Sequence, residues 1–183
     1  MTGTNRCPFF LEVIMKHTFI GIALLSAALQ ANAITLDPVG ANGEEYNFFG
    51  SFELSYGSVT FGCSLNMTTE VNTSTDTMEV VDTQVSGSYP CHVFSIQNLG
   101  TGTISNVSNE GARIDFSGIT FTGHTFFECD GESIYINFKN SGSNPSFITI
   151  PDQNISNNCS IETDVPLTIV PAESHSGDLN IYP

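Results

Sequence analysis

The chain has 183 residues, with 4 Lys and Arg against 19 Asp and Glu and a formal charge of −15 at neutral pH. That balance excludes the sequence-independent grip on nucleic acid that Lys and Arg supply, and it opposes docking on anionic lipid. An apolar share of 40% with 10% aromatics excludes a disordered chain and suffices for one packed domain.

The first element is an export signal. From Met15 the chain reads Met-Lys-His, then an apolar run Thr18–Leu29, then Gln30-Ala31-Asn32-Ala33. A short basic start, an apolar stretch and an A-x-A site define a bacterial signal peptide. The run is shorter than the roughly 20 residues a spanning helix needs, so no transmembrane anchor is expected. Cleavage is expected between Ala33 and Ile34, with Ala31 and Ala33 as the small residues of the site. Glu12 sits badly between hydrophobic stretches, so Met15 is read as the true start and residues 1–14 as a mis-annotated extension. No lipobox cysteine and no second apolar segment follows. Residues 34–183 then form a single exported domain, secreted or at the outer cell surface. Processing removes Arg6, Lys16 and Glu12, which leaves Arg113 and Lys139 as its basic residues and makes its charge one unit more negative. Such a surface is soluble and self-repelling.

Cys63, Cys91, Cys129 and Cys159 remain after processing. An even count in an exported chain reads as two disulfides. Three pairings exist, and near-equal spacing favours Cys63–Cys91 with Cys129–Cys159. A zinc site would want a C-x-x-C or His pair, which is absent.

The rest alternates with period two. Phe48, Gly50, Phe52, Leu54 and Tyr56 share one face, and Val59, Phe61, Cys63, Leu65 and Met67 do the same. Ala112-Ile114-Phe116 gives way to Ile119-Phe121 after Gly118, a phase switch that reads as a β-bulge. Ile134-Ile136-Phe138 and Val165-Leu167-Ile169 follow. Polar turn clusters separate these runs at 72–76, 86–88, 140–145 and 156–158. The pattern predicts an all-β fold of antiparallel strands, a β-sandwich of immunoglobulin-like or jelly-roll-like type or a barrel, with the sandwich preferred. A faint duplication is visible, because each cysteine pair brackets a strand-turn-strand unit.

Candidate chemistry is thin. No G-x-S-x-G elbow occurs. His92, His124 and His175 lack ligand spacing or a catalytic partner, and a surface or capping role is favoured for each. Glu128, Asp130 and Glu132 cluster at a Gly turn, but without EF-hand spacing they read as a solvated acidic turn rather than a calcium site. Lys139 follows Phe138 on the outward phase and reads as a surface lysine rather than an isopeptide partner. Sequons at Asn66, Asn72, Asn106, Asn154 and Asn158 matter only in a glycosylating host. No catalytic residue, metal or cofactor is expected, and no nucleic-acid partner.

Three segments carry a resemblance: Val59-Thr-Phe-Gly-Cys63-Ser-Leu65, Val85-Ser-Gly-Ser-Tyr-Pro-Cys91 and Asn154-Ile-Ser-Asn-Asn-Cys159. With the signal peptide and the Thr, Ser, Gly and Asn-rich strands, they resemble the PraB-type family of alkane-oxidation protein activators. The resemblance covers most of residues 34–183 and brings no catalytic residues. It implies a non-enzymatic extracellular protein that aids use of, or adhesion to, hydrophobic substrates, linked to biofilm, with hydrophobic substrates or cell-surface components as partners. A second resemblance is to chaperone–usher fimbrial subunits. It rests on the signal, the β fold, an early disulfide and the alternating end Gly177-Asp-Leu179-Asn-Ile181-Tyr182-Pro183. It implies self-assembly into fibres by strand complementation. The second cysteine pair does not fit that pattern, and residues 172–177 read equally well as a loose tail.

Overall fold

In the computed structural model the described residues are 33–123, 128–131, 133–142, 144–170 and 178–183. The chain separates into Met1–Ala31 and Asn32–Pro183, and the first unit lies outside the described residues, as do residues 15–32 of the expected signal segment, Ala31 among them.

Alternation runs furthest in β2 (Glu45–Tyr56) and β3 (Val59–Asn72), which pair antiparallel around a two-residue turn. Phe48 faces Met67, Phe52 faces Cys63 and Leu54 faces Phe61, so one face of the pair is continuously apolar. It is also buried: Phe48, Phe52 and Leu54 are fully enclosed. Around this pair runs an antiparallel sheet that also contains β4 (Thr77–Ser86), β6 (Thr101–Ser108), β7 (Gly111–Ser117), β10 (Ser133–Lys139), β11 (Phe147–Thr149), β12 (Gln153–Ser156) and β13 (Cys159–Val170).

The sheet closes. Strand β11 pairs β10 on one side and β13 on the other, and β13 pairs β2, giving an eight-stranded barrel. The all-β expectation with two disulfides holds, but the preferred sandwich gives way to this barrel. The physical reason lies in β13. Its register against β2 shifts between Thr163 and Val165 and again between Val165 and Thr168. Those bulges bend the strand, so its first half carries β12 and its second half reaches β11. Val165 is consequently 54% exposed rather than in line with buried Leu167 and Ile169.

Side-chain orientation separates the barrel's two faces. Phe48, Leu65, Ile114 and Phe138 point inward, whereas Ser51, Ser64, Asn66, Thr68 and Asp115 face out. A barrel that spans a bilayer needs the reverse, an apolar band outside. Among the described residues no helix is long and apolar enough to cross a membrane.

Two small sheets cover the openings. One joins β5 (Ser95–Gln97), β8 (Thr120–Thr122) and β9 (Glu128–Asp130). Gly118, at φ 71°, is the corner by which the chain leaves β7 for this sheet, so the phase switch is a change of sheet and not a bulge. The other pairs β1 (Thr35–Asp37) with β14 (Asn180–Tyr182). Leu179 and Ile181 are fully buried, so the C-terminal strand is tied into its own fold. Ile34, beside the expected cleavage point, is 5% exposed, whereas Ala33 is exposed.

The disulfides join Cys63 to Cys91 and Cys129 to Cys159, the pairing that spacing favours. The duplication does not extend to topology. Cys63 lies within a barrel strand, while Cys129 lies in the small covering sheet.

Candidate functional site

Eight-stranded barrels are wide enough either to be filled by side chains or to hold one small ligand. Here the interior is filled. The internal cavity is apolar, lined by residues such as Leu65, Phe116, Phe121, Ile136 and Ile148, and measures about 20 Å³. Sites for small organic ligands run to roughly 300–1,000 Å³. The interior described by these residues is therefore a packed core rather than a ligand chamber of that size.

Among the described residues the outer wall carries two polar clusters of note. Glu45, Glu70 and Glu79 stand directly across from one another on β2, β3 and β4. Glu70 and Glu79 border an open groove of about 350 Å³ with Asn72, Thr77 and Thr101. Like charges so placed oppose one another. Further round, Arg113 donates from Nε and Nη2 to Asp115 Oδ1 at 2.8 and 2.6 Å, and its guanidinium lies 3.7 Å from the Tyr135 ring centre. Ser105 donates to the other Asp115 oxygen at 3.2 Å. The bond from Arg113 holds the Asp115 carboxyl below its ordinary range, and the same bond raises Arg113. This cluster braces β6, β7 and β10 and presents no reactive group to a cleft.

The sequence candidates fall apart in space. His92 is exposed, with its ring 5.9 Å from that of Tyr89. His124, Glu132 and His175 lie outside the described residues. Glu128 and Asp130 are exposed on either side of buried Cys129. Lys139 is on the surface, 4.0 Å from Glu110. Among the described residues no group of three or more His, Cys, Asp or Glu is arranged to hold a metal ion. All five sequon asparagines lie on the outer surface, Asn66 partly covered and the others exposed.

What sequence reasoning missed is one end of the barrel. The β2–β3 hairpin projects there, and the loop 87–94 is pinned against it by Cys63–Cys91, with the Cys91 sulfur 3.2 Å from the Gly62 carbonyl. Phe94 meets Phe61 edge-on at 5.7 Å. The turn before Cys159 joins from the other side, where Gly57 donates its N–H to the Asn158 carbonyl at 2.8 Å. Tyr56 and Val59, which period two assigns to the buried face, are 38% and 51% exposed, and Tyr89 is 73% exposed. The available signal was charge. Residues 54–69 and 83–109 contain no Asp, Glu, Lys or Arg in a chain that has 19 acidic residues.

Residues 11–175 match the family described as alkane oxidation protein activator PraA/PraB-like. No curated protein and no solved structure matches the chain.

Proposed function

The chain belongs to the alkane oxidation protein activator PraA/PraB-like family, and from that premise we propose that it is a non-enzymatic bacterial protein, exported by way of residues 15–33, that helps cells use or adhere to hydrophobic substrates at the cell surface and in biofilm. The family match over residues 11–175 carries the substrate class. Supporting it, two disulfides suit an oxidising compartment outside the cytosol. The polar outer wall suits a water-exposed protein rather than a pore, and the filled barrel leaves its surface as the place of action. The fibre-subunit alternative draws no support from the C-terminal strand, which is paired with the chain's own β1.

The test is growth of the native bacterium with and without the gene. We expect slower growth on a long-chain n-alkane, unchanged growth on a soluble organic acid, and recovery when the gene is returned. Equal growth of both strains on the alkane overturns the proposal.

A further inference from the structure

The exposed apolar end is continuous with the core. Leu54 and Phe61 are cross-strand partners, with Leu54 fully buried. One step outward on the same face, Tyr56 and Val59 are partners and both are exposed. The hydrophobic face of the hairpin therefore runs out of the barrel into solvent. Tyr89, 73% exposed, lies two residues before Cys91 on the loop that Cys63–Cys91 holds against the same hairpin.

Charge identifies what such an end can meet. Bringing a carboxylate against a hydrocarbon phase strips its hydration at high cost, whereas Val, Tyr and Phe gain from the same transfer. At this end hairpin residues 54–69 and the loop 87–94 contain no Asp, Glu, Lys or Arg, and the first carboxylate back along β2 is Glu53, opposite Gly62 on β3 and Glu162 on β13. Glu128 and Asp130, on either side of Cys129, form a further acidic flank, tied to the hairpin side by Cys129–Cys159. An anionic surface would be repelled by that flank and by the charge of −15.

We propose that this end of the barrel seats on the surface of an uncharged hydrocarbon phase, with Tyr56, Val59 and Tyr89 entering it. The Tyr89 hydroxyl suits the boundary, since the ring is apolar and the tip is polar. The inference rests on the function proposed above and supplies the contact surface. Among the described residues, another exposed aromatic, Phe49, is a natural comparison. It is 50% exposed on the wall, two residues from Ser51, which donates to Asp164 at 3.1 Å. A carboxylate thus accompanies any approach there.

The test is adsorption of the oxidised protein, as secreted by an expressing bacterium, to a hexadecane emulsion. Depletion from the aqueous phase gives the partition constant. We expect the wild type to adsorb, and added salt not to weaken it. The double variant Val59→Ser/Tyr89→Ser should lose at least about tenfold, from the apolar area it withdraws. Phe49→Ser should stay within about twofold of wild type. If the double variant does not fold, as judged by its urea midpoint, Tyr89→Ser alone on its exposed loop should still lose about threefold or more. Undiminished adsorption by the tip variants, or an equal loss in Phe49→Ser, overturns the inference and leaves the growth result standing. Tighter binding to phosphatidylglycerol vesicles than to hexadecane overturns it as well. A wild type that stays in water overturns it too, and the alkane growth defect then decides separately whether the functional proposal survives.

Discussion

Gly50 lies against Pro166 with no space for a side chain: a β-carbon there would stand 2.7 Å from the carbonyl oxygens of both Pro166 and Val165. The cause is the bulge that closes the barrel. Between Val165, opposite Ser51, and Thr168, opposite Phe49, β13 sets two residues against one. Pro166 has no N–H to give a ladder, so a bulge is where a strand tolerates it. We expect Gly50→Ala to cost about 1–3 kcal/mol, the range of a forced overpacking. Gly62→Ala, with nothing within 4 Å of the added carbon, should cost less than about 0.5 kcal/mol. Urea midpoints at unchanged slope measure both.

The disulfides close loops of similar length, with sequence separations of 28 and 30. Loops of that size restrict the unfolded chain by roughly 3–4 kcal/mol each. Replacing Cys63 and Cys91 together by Ala, or Cys129 and Cys159 together, should therefore lower stability by about that amount. The two losses should add only if the bonds act independently, which a double-mutant cycle in urea reads directly.

Asp115 gives a pH dependence of defined sign. The bond from Arg113 lowers its carboxyl in the folded state. A lowered carboxyl stabilises the fold above the unfolded value, and that stability is lost as pH falls through the folded value. Its side chain is 42% exposed, so the contribution is screened and should be under about 1 kcal/mol. In Asp115→Asn, the fall in urea midpoint between about pH 5 and about pH 2 should be shallower than in wild type. High salt should shrink the difference.

Strand content was legible because burial is one-sided, so Phe48, Phe52, Leu65, Ile114 and Phe138 each announce a face by period two. Closure was not legible. It depends on where β13 bends, and the run Val165-Leu167-Ile169 looks regular in sequence although Val165 turns outward. The covering sheet of β5, β8 and β9 was hidden for another reason, since strands of three residues are too short to show a period. At the barrel end, Tyr56 and Val59 obey the alternation of the core but outlast the core itself. Alternation reports which face a residue is on, not how far the neighbouring strands extend. The uncharged runs 54–69 and 83–109 were the visible mark of that end.

Two amide side chains act as single-residue strand partners. Gln153 accepts the Tyr135 N–H at 2.9 Å and donates to the Tyr135 carbonyl at 2.7 Å. Asn140 does the same for Ile181, at 2.8 Å both ways. They are needed because β11 pairs β10 only from Asn137 to Lys139, and β14 pairs only β1. Gln153→Glu keeps the acceptor but removes the donor and sets an ionised oxygen against a carbonyl. We expect a loss of about 1–3 kcal/mol at neutral pH. The folded protein favours the protonated acid at that position, which raises its carboxyl in the fold. The penalty is therefore full above the raised value and fades as pH falls below it, when the new O–H restores a donor. Gln153→Ala should lose a similar amount with no such recovery. Urea midpoints of the Gln, Glu and Ala forms at neutral and acid pH separate the two cases. A Glu deficit that acid leaves unchanged would show that the bond to the Tyr135 carbonyl does not secure this edge of β10, and Asn140→Asp repeats the test at the C-terminal strand.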